Sequence, residues 1–241
     1  MVTRRVCLVG LGSLALGSGL TGCFPLAATG MVVGALSISD RRTTGAQTED
    51  QAIELKGFNR LRERFKGDAA ITASVTSFNR QVLLTGFVPD EATKAEVGQI
   101  IGRIENTKSP IINELFVGLP ATVTTYGRDV VLTTRAKATL LDARDVNGNL
   151  IKVVTESSTV YLMGVVSPRE AARASEIISR VPGVRRVVQA FEVITEEQAR
   201  AIDTALQGGK QAPEVQGKNT TQQAAPPAVP PASAPQVTPV R

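Results

Sequence analysis

The chain has 241 residues, enough for one large domain or for two small domains with tails. It contains no histidine, which is the side chain most used for acid–base chemistry near neutral pH and the commonest metal ligand. The formal net charge of +5 comes mainly from the two ends, so the dense basic patch that is typical of a nucleic-acid-binding protein is not visible between them.

Residues 1–22 have the pattern of a secretory signal peptide. Arg4 and Arg5 precede an uncharged stretch, residues 6–20, that is too short for a transmembrane helix of about 20 apolar residues. The stretch runs into the sequence LTGC at residues 20–23, which resembles the lipobox of bacterial lipoproteins. We therefore predict that Cys23 is acylated and becomes the new N-terminus. The alternative is a buried cysteine in an N-terminal anchor helix.

The residues around the cysteine predict where the protein is attached. Cys7 would leave with the signal peptide, so the mature chain keeps one cysteine and no disulfide is possible. Phe24 follows Cys23, whereas an aspartate there typically retains such proteins in the inner membrane. We predict a periplasm-facing attachment to the outer membrane. Residues 23–50 are small and polar and predict a lipidated tether, although the apolar stretch 31–36 could instead cap the domain.

An internal repeat follows the tether. The sequence VLLTGFV at 82–88 matches VYLMGVV at 160–166, and a helix follows each stretch, at 91–104 and at 168–181. Each copy ends on a strand, at 111–117 and at 184–193. A strand precedes each matched stretch, at 71–76 and at 150–155. A helix opens each copy, one with the stripe Leu55, Phe58, Leu61 and Phe65, the other at 130–141.

The order of elements in each copy is therefore helix, strand, strand, helix, strand. Elements in this order can bury their apolar faces in two layers. We therefore predict an α+β fold in which a small three-stranded mixed sheet is covered on one face by two helices. We place the first domain at residues 51–118 and the second at 126–195. Gly86 and Gly164 close the matched strands, and we interpret both as structural glycines that allow a positive φ or a close backbone approach.

The first helix of the second copy carries the candidate binding surface. Leu132, Ala136 and Leu140 recur every four residues and should pack on the sheet. The neighbouring face combines apolar residues with cations, a pattern typical of docking on anionic lipid. The candidate lipid-binding residues are Arg128, Val131, Thr134, Arg135, Lys137 and Leu141. The alternative is an ordinary solvated helix with one wide apolar stripe.

Residues 207–241 contain seven of the thirteen prolines. Such a segment buries too little apolar surface to offset its ordering entropy, so we predict a disordered tail. The alternative is that this tail is a ligand for a partner protein that binds proline-rich segments. No nucleophile–base pair, phosphate loop or metal-spaced pattern is present in the sequence, so we expect neither an enzyme nor a cofactor.

The order of elements, the Val-x-Leu-x-Gly pattern at 160–164 and the run IISRVPGV at 177–184 resemble the BON domain. Two copies behind a lipobox resemble the dual BON-domain outer-membrane lipoproteins of proteobacteria. The resemblance spans about residues 20–193 and is weaker in the first copy.

This resemblance implies a phospholipid-binding module, with anionic phospholipid as partner and a role in envelope integrity. Two departures from the family stand out. The proline-rich tail is longer than the family fold requires. Val131 also occupies the position at which family members tend to expose an aromatic residue. The alternative function is a non-catalytic adaptor whose repeats bind envelope proteins, with lipidation serving only for localisation.

Overall fold

The computed structural model describes residues 40–209 and 218–223, which lie within one compact unit, Ser37–Arg241. The predicted signal peptide, Cys23 and most of the predicted tether lie outside the described residues. The remaining parts of the predicted tail, residues 210–217 and 224–241, also lie outside them.

The first copy of the repeat contains two helices and a small mixed sheet. Its elements are α1 (Thr44–Phe65), β1 (Ser74–Phe78), β2 (Gln81–Thr85), β3 (Phe87–Val88), α2 (Glu91–Gly102), β4 (Lys108–Asn113) and β5 (Phe116–Val117). Strand β1 pairs antiparallel with β2, and β2 pairs parallel with β4. Strands β3 and β5 form a separate short parallel pair that continues the chain direction of β2 and β4.

The second copy repeats this order. Its elements are α3 (Val123–Asp142), a 3₁₀ turn (Gly148–Leu150), β6 (Ile151–Glu156), β7 (Thr159–Val166), α4 (Pro168–Ser179) and β8 (Arg186–Val193), followed by α5 (Glu196–Gln207) and β9 (Lys218–Gln223). Strands β6 and β7 are antiparallel, β7 and β8 are parallel, and β9 is antiparallel to β8. The predicted α+β fold, with two helices and a mixed sheet in each copy, is confirmed.

Each sheet packs its helices against one face and meets the other copy through the opposite face. Val82 and Leu84 of β2 face the helices of the first copy, whereas Leu83 between them joins a different cluster. That cluster contains Tyr161 and Met163 of β7, and α5 adds further apolar side chains to it. Because side chains alternate along a strand, both faces of each sheet are buried. The two copies therefore share a core.

Ion pairs also cross between the copies. Glu192, which is 2% exposed, accepts hydrogen bonds from Lys108 Nζ at 2.7 Å and from Asn79 Nδ2 at 2.7 Å. Lys152 Nζ lies 2.9 Å from Glu54 Oε1, and Arg186 pairs with Glu114. A buried charge is costly unless it is paired, so these partners hold the two copies in one relative arrangement.

The folded unit begins earlier than we predicted. The tether was expected to extend to residue 50, but α1 starts at Thr44 after an N-cap at Thr43. Arg41 is buried, and its guanidinium lies 2.7 Å from both Glu170 and Asp203. The prediction was wrong over this segment because the polar residues that suggested a tether form buried ion pairs and a helix cap.

The predicted apolar stripe of α1 also differs from the structure. Leu55 and Phe58 are exposed, while Ile53, Gly57 and Leu61 pack inward. A Cβ placed on Gly57 would lie 3.1 Å from both γ-methyl carbons of Val75, so the glycine lets α1 approach β1 closely. This close approach selects the face of α1 that is buried.

The C-terminal boundary differs as well. Helix α5 follows the predicted end of the second domain at residue 195 and begins with a capping box formed by Thr195 and Gln198. Within the segment expected to be disordered, residues 218–223 form strand β9 on the edge of the second sheet. The edge of β8 offers unpaired backbone groups, so a polar segment can add there without burying apolar surface.

Gly86 and Gly164 lie where a side chain has no room. Gly86 has a φ of +111°, and a Cβ there would lie 2.0 Å from the carbonyl oxygen of Thr72. At Gly164 the Cβ would lie 2.7 Å from the carbonyl oxygen of Leu150. Both glycines therefore allow one backbone segment to approach another at the end of a matched strand.

Candidate functional site

Helix α3 packs one face on the second sheet and leaves the other exposed. Its N-cap is Thr122, whose side chain accepts a hydrogen bond from the amide of Thr125. Leu132, Ala136 and Leu140 are buried against the sheet, as the four-residue spacing predicts. The inward face is thus occupied by core packing, and any binding surface must lie on the remaining sides of α3.

The outer sides of α3 carry most of the large apolar side chains that the described part of the chain exposes. Of nine such residues, five are on this helix: Val123, Tyr126, Val130, Val131 and Leu141. Val123 is 87% exposed and Val130 is 65% exposed. Steps of seven and eleven residues bring Val123, Val130 and Leu141 onto one line along the helix. A contiguous apolar row of this kind marks an interaction surface.

The predicted site residues separate into two groups around this helix. Arg128, Val131 and Arg135 line one groove together. Thr134 and Leu141 are exposed outside that groove, and the Thr134 hydroxyl donates to the carbonyl oxygen of Val130. The structure therefore brings together only half of the predicted site.

Lys137 departs from the prediction. Its Nζ donates to the carbonyl oxygens of Gly148 at 2.7 Å and Ile151 at 2.8 Å, on the inner side of the helix. Partial burial lowers the pKa of Lys137. We correct its assignment as an exposed lipid-facing cation, because the long side chain reaches back to carbonyl groups beside the sheet.

Val123 and Tyr126 escaped the sequence analysis because the predicted helix began at residue 130, whereas α3 starts at Val123. Val130 lay within the predicted helix but was not among the candidate binding residues. Tyr126 is an exposed aromatic residue near the start of this helix, whereas the resemblance placed the exposed aromatic of the family at the position of Val131. The four-residue step from Tyr126 to Val130 was the signal that could have extended the helix.

The groove has a volume of about 750 Å³ and lies between α3 and the loop that follows α4. Its lining includes the apolar residues Val131, Leu132 and Val184 and three arginines, Arg128, Arg135 and Arg185. None of the described residues that line it is Asp or Glu. The groove therefore combines apolar and cationic side chains.

The loop side of this groove is held in place by hydrogen bonds to backbone carbonyl oxygens. Arg135 Nη1 donates to the carbonyl oxygen of Pro182 at 3.0 Å, and the amide of Arg185 donates to the carbonyl oxygen of Ser158 at 2.9 Å. Gly183 has a φ of +101°, and a Cβ there would lie 3.6 Å from Leu132 Cδ1. The last three residues of the run IISRVPGV, Pro182 to Val184, thus form part of one wall of the groove.

Over the described residues, no cluster of three or more His, Cys, Asp or Glu side chains is arranged to hold a metal ion. None of the helices in the same part of the chain combines the length and hydropathy needed to cross a membrane.

Comparison with known proteins identifies the repeat. The BON domain family matches residues 50–118 and 128–195, which together cover more than half of the chain. The chain belongs to the BON domain family. Each match corresponds to one copy of the repeat, and the second includes most of α3 and the loop after α4 that lines the groove.

Two curated relatives cover most of the chain. It is 30% identical over 175 residues to the outer membrane lipoprotein DolP of Haemophilus influenzae, covering 73% of this chain and 90% of the relative. It is 29% identical over 157 residues to a 21 kDa hemolysin of Actinobacillus pleuropneumoniae, covering 64% of this chain and 79% of the relative. The first relative confirms the predicted outer-membrane lipoprotein, and neither is named as an enzyme.

Among solved structures, the chain is similar to CdsD, a structural protein of the type III secretion system of Chlamydia trachomatis. The match has a TM-score of 0.25 and 13% sequence identity, and covers 63% of this chain and 66% of that one. Similarity at this level carries no argument about function.

Proposed function

We propose that this BON-domain lipoprotein is anchored through acylated Cys23 and docks its second BON copy on anionic phospholipid through α3, supporting outer-membrane integrity. The observation that carries the proposal is the exposed apolar row of Val123, Val130 and Leu141, with Tyr126 beside it. Arg128 and Arg135 lie on the opposite flank of the same exposed side. Apolar side chains beside cations suit shallow insertion into an anionic interface.

The expected interaction is weak on its own. Each cation near an anionic surface contributes about 1 kcal/mol, and salt screens this attraction. The predicted anchor compensates, because Cys23 precedes Asp40, the first residue that the structure describes, by only 17 positions. Tethering at that distance holds α3 at a high effective concentration near the bilayer. A weak contact is then sufficient.

Vesicle co-sedimentation tests the proposal. The fragment Ser37–Arg241, which corresponds to the compact unit, should sediment with vesicles containing phosphatidylglycerol and much less with pure phosphatidylcholine vesicles. The double variant Tyr126→Ser/Val130→Ser should lose most of this binding, because two exposed apolar contacts are removed. The matched control is Leu55→Ser/Phe58→Ser, which removes two exposed apolar side chains from the first copy.

Binding of the wild-type fragment should also fall as salt rises, and Arg128→Glu/Arg135→Glu should weaken it while the fold is retained. If the wild-type fragment does not bind anionic vesicles, the proposal fails, and the adaptor function becomes the better account. The anchor has a separate test. Cys23→Ser should leave an uncleaved precursor that no longer takes up labelled palmitate, whereas normal maturation would exclude lipidation at Cys23.

A further inference from the structure

The β8 edge of the second sheet is long and regular. Strand β8 pairs with β7 at every position from Thr159 with Arg186 to Val166 with Val193, without a shift in register. Residues 186–193 include no proline, so every residue of β8 keeps its backbone amide. Such an edge presents hydrogen-bond donors and acceptors to any extended chain, and proteins usually protect it. The edge of β8 is therefore a surface on which a further strand can pair.

The equivalent edge of the first copy is built differently. Among the described residues, the three-stranded sheet of that copy ends at β4, which corresponds to β8. Pro110 lies within β4 and has no amide hydrogen to donate, and the pairing of β2 with β4 shifts in register between Gln81 and Leu83. Proline and irregular pairing both oppose the addition of a strand. The second copy therefore offers a regular edge where the first copy does not.

The chain covers the edge of β8 with its own strand β9. Residues 218–223 have the sequence KNTTQQ, which contains no apolar residue. In the antiparallel register, Thr220 pairs with Phe191 and Gln223 pairs with Val188. Cross-strand pairs of aromatic and β-branched residues stabilise a sheet beyond its backbone hydrogen bonds. Strand β9 does not supply such a residue opposite Phe191 or a β-branched one opposite Val188, so a less polar strand can pair more tightly at the same edge.

The place of β9 in the chain allows it to be exchanged. Residues 208–217 separate it from the end of α5, and the described part of the chain contains no element after it. Because its sequence is polar, release of β9 exposes no apolar side chain of its own. The covalent connection nevertheless keeps β9 at a high local concentration near β8. A competing strand must therefore bind more tightly than a free peptide of the β9 sequence does.

We infer that the edge of β8 is a strand-addition site for an extended segment of another envelope protein, and that β9 occupies this site until that segment displaces it. The segment runs antiparallel to β8, as β9 does, and is free of proline where it pairs. It carries β-branched or aromatic residues, above all opposite Phe191 and Val188. In this mode of recognition the backbone hydrogen bonds give affinity and the alternate side chains give selectivity.

A second copy of this chain is a less suitable occupant. It brings the same polar β9, which gains no side-chain contact over the strand that is already in place. The site also differs from the proposed lipid-docking surface, because it depends on β8 and β9 and not on α3. Vesicle binding and strand addition can therefore succeed or fail independently of each other.

A synthetic peptide tests the edge. The probe is the peptide of residues 216–225 with Thr220→Val and Gln223→Val, titrated into fragment Ser37–Arg241 while backbone amides are followed by NMR. We expect saturable binding with shifts at residues 188–193. The unsubstituted peptide should bind about tenfold more weakly or less, because it gains nothing over the tethered β9.

The control peptide carries Thr220→Pro and Thr221→Pro. Successive amides of a strand point to opposite sides, so one of the two prolines removes a donor to β8. This peptide should not bind, and the valine peptide should cause no shifts at residues 108–113 of β4. Equal binding of the proline peptide would overturn the inference, since apolar contact without strand pairing would then explain the affinity.

The same two prolines placed in the protein should uncover the edge. Thr220→Pro/Thr221→Pro in fragment Ser37–Arg241 should raise its affinity for the valine peptide by about tenfold or more, because the tethered competitor is removed. The matched control is Ala228→Pro/Val229→Pro, which adds two prolines beyond β9 and should bind like the wild type.

Two results with the uncovered variant would overturn the inference. The first is failure of the valine peptide to bind it, which would show that the edge of β8 does not accept a strand in trans. The second is dimerisation of the variant in sedimentation analysis with protection of the amides of residues 188–193 from hydrogen exchange. That result would assign the edge to a second copy of this chain.

Discussion

Asp50 and Asp129 occupy equivalent positions in the two copies, and each carboxylate accepts hydrogen bonds from two backbone amides of the hairpin turn beside its helix. Asp129 accepts from Ser157 at 2.8 Å and from Ser158 at 2.9 Å. Asp50 accepts from the amides of Asn79 and Arg80. All four turn residues have a positive φ, which is unfavourable for non-glycine residues, so the buried carboxylate stabilises a strained turn.

Loss of either carboxylate should therefore destabilise the protein. We expect Asp129→Ala to lower the free energy of unfolding by about 2–3 kcal/mol, because two part-buried amides lose a charged acceptor. Asp142→Ala, at an exposed position of the same helix, should change it by no more than about 0.5 kcal/mol. Urea denaturation followed by circular dichroism measures both. Equal stability of the two variants would contradict a role for the Asp129 carboxylate in holding the turn.

Glu156 predicts a pH dependence of stability. Burial, together with the nearby Asp129 carboxylate, raises its pKa from 4.5 to about 7. A carboxyl with a raised pKa in the folded state binds its proton more tightly there than in the unfolded chain. Its contribution to stability is therefore fully present below about pH 4.5 and is lost as the pH rises through 7.

The substitution Glu156→Gln should remove this dependence, since the amide stays neutral. At pH 8 the variant should be more stable than the wild type, on the order of 2 kcal/mol, whereas the two should differ little at pH 4.5. Glu63→Gln, at an exposed position of α1, serves as the control. Thermal denaturation across this pH range provides the measurement, and a constant difference between wild type and Glu156→Gln would argue against titration of Glu156.

The shared core predicts that the two copies unfold together. Leu83 of the first copy and Met163 of the second belong to the same buried cluster. Leu83→Ala should cost about 2–5 kcal/mol and should speed amide hydrogen exchange in α4 of the second copy as well as in α2. Calorimetry of the wild type should show a single transition. Two separate transitions would mean that the interface contributes little to stability.

The tail strand gives a prediction about deletions. Strand β9 pairs with β8 at six positions, from Val188 with Gln223 to Val193 with Lys218. Deletion of residues 208–241 should therefore lower the melting temperature by a few degrees, because the edge of β8 is uncovered. Deletion of residues 224–241 keeps β9 and should have no such effect. A melting temperature unchanged by the longer deletion would show that β9 adds no stability.

The sequence by itself determined the local elements and the repeat. Strand alternation, helical spacing and capping residues act between near neighbours, so the order of elements in each copy and the packing of Leu132, Ala136 and Leu140 could be read directly. The lipobox-like segment and the BON motif likewise depend on contiguous residues. Helix ends are encoded less sharply than helix interiors, so the predicted start at residue 130 left Tyr126 outside α3.

Only the tertiary structure decided which exposed residues act together. Lys137 and Arg135 are two positions apart, yet one reaches carbonyl groups beside the sheet and the other lies at the groove. Arg185 joins Arg128 and Arg135 only because the loop after α4 folds back against α3. Tertiary contacts also decide the shared core, the buried ion pairs of Arg41 and Glu192, and the added strand β9. Such contacts join residues far apart in the chain, and their energies depend on burial and pairing that no local pattern encodes.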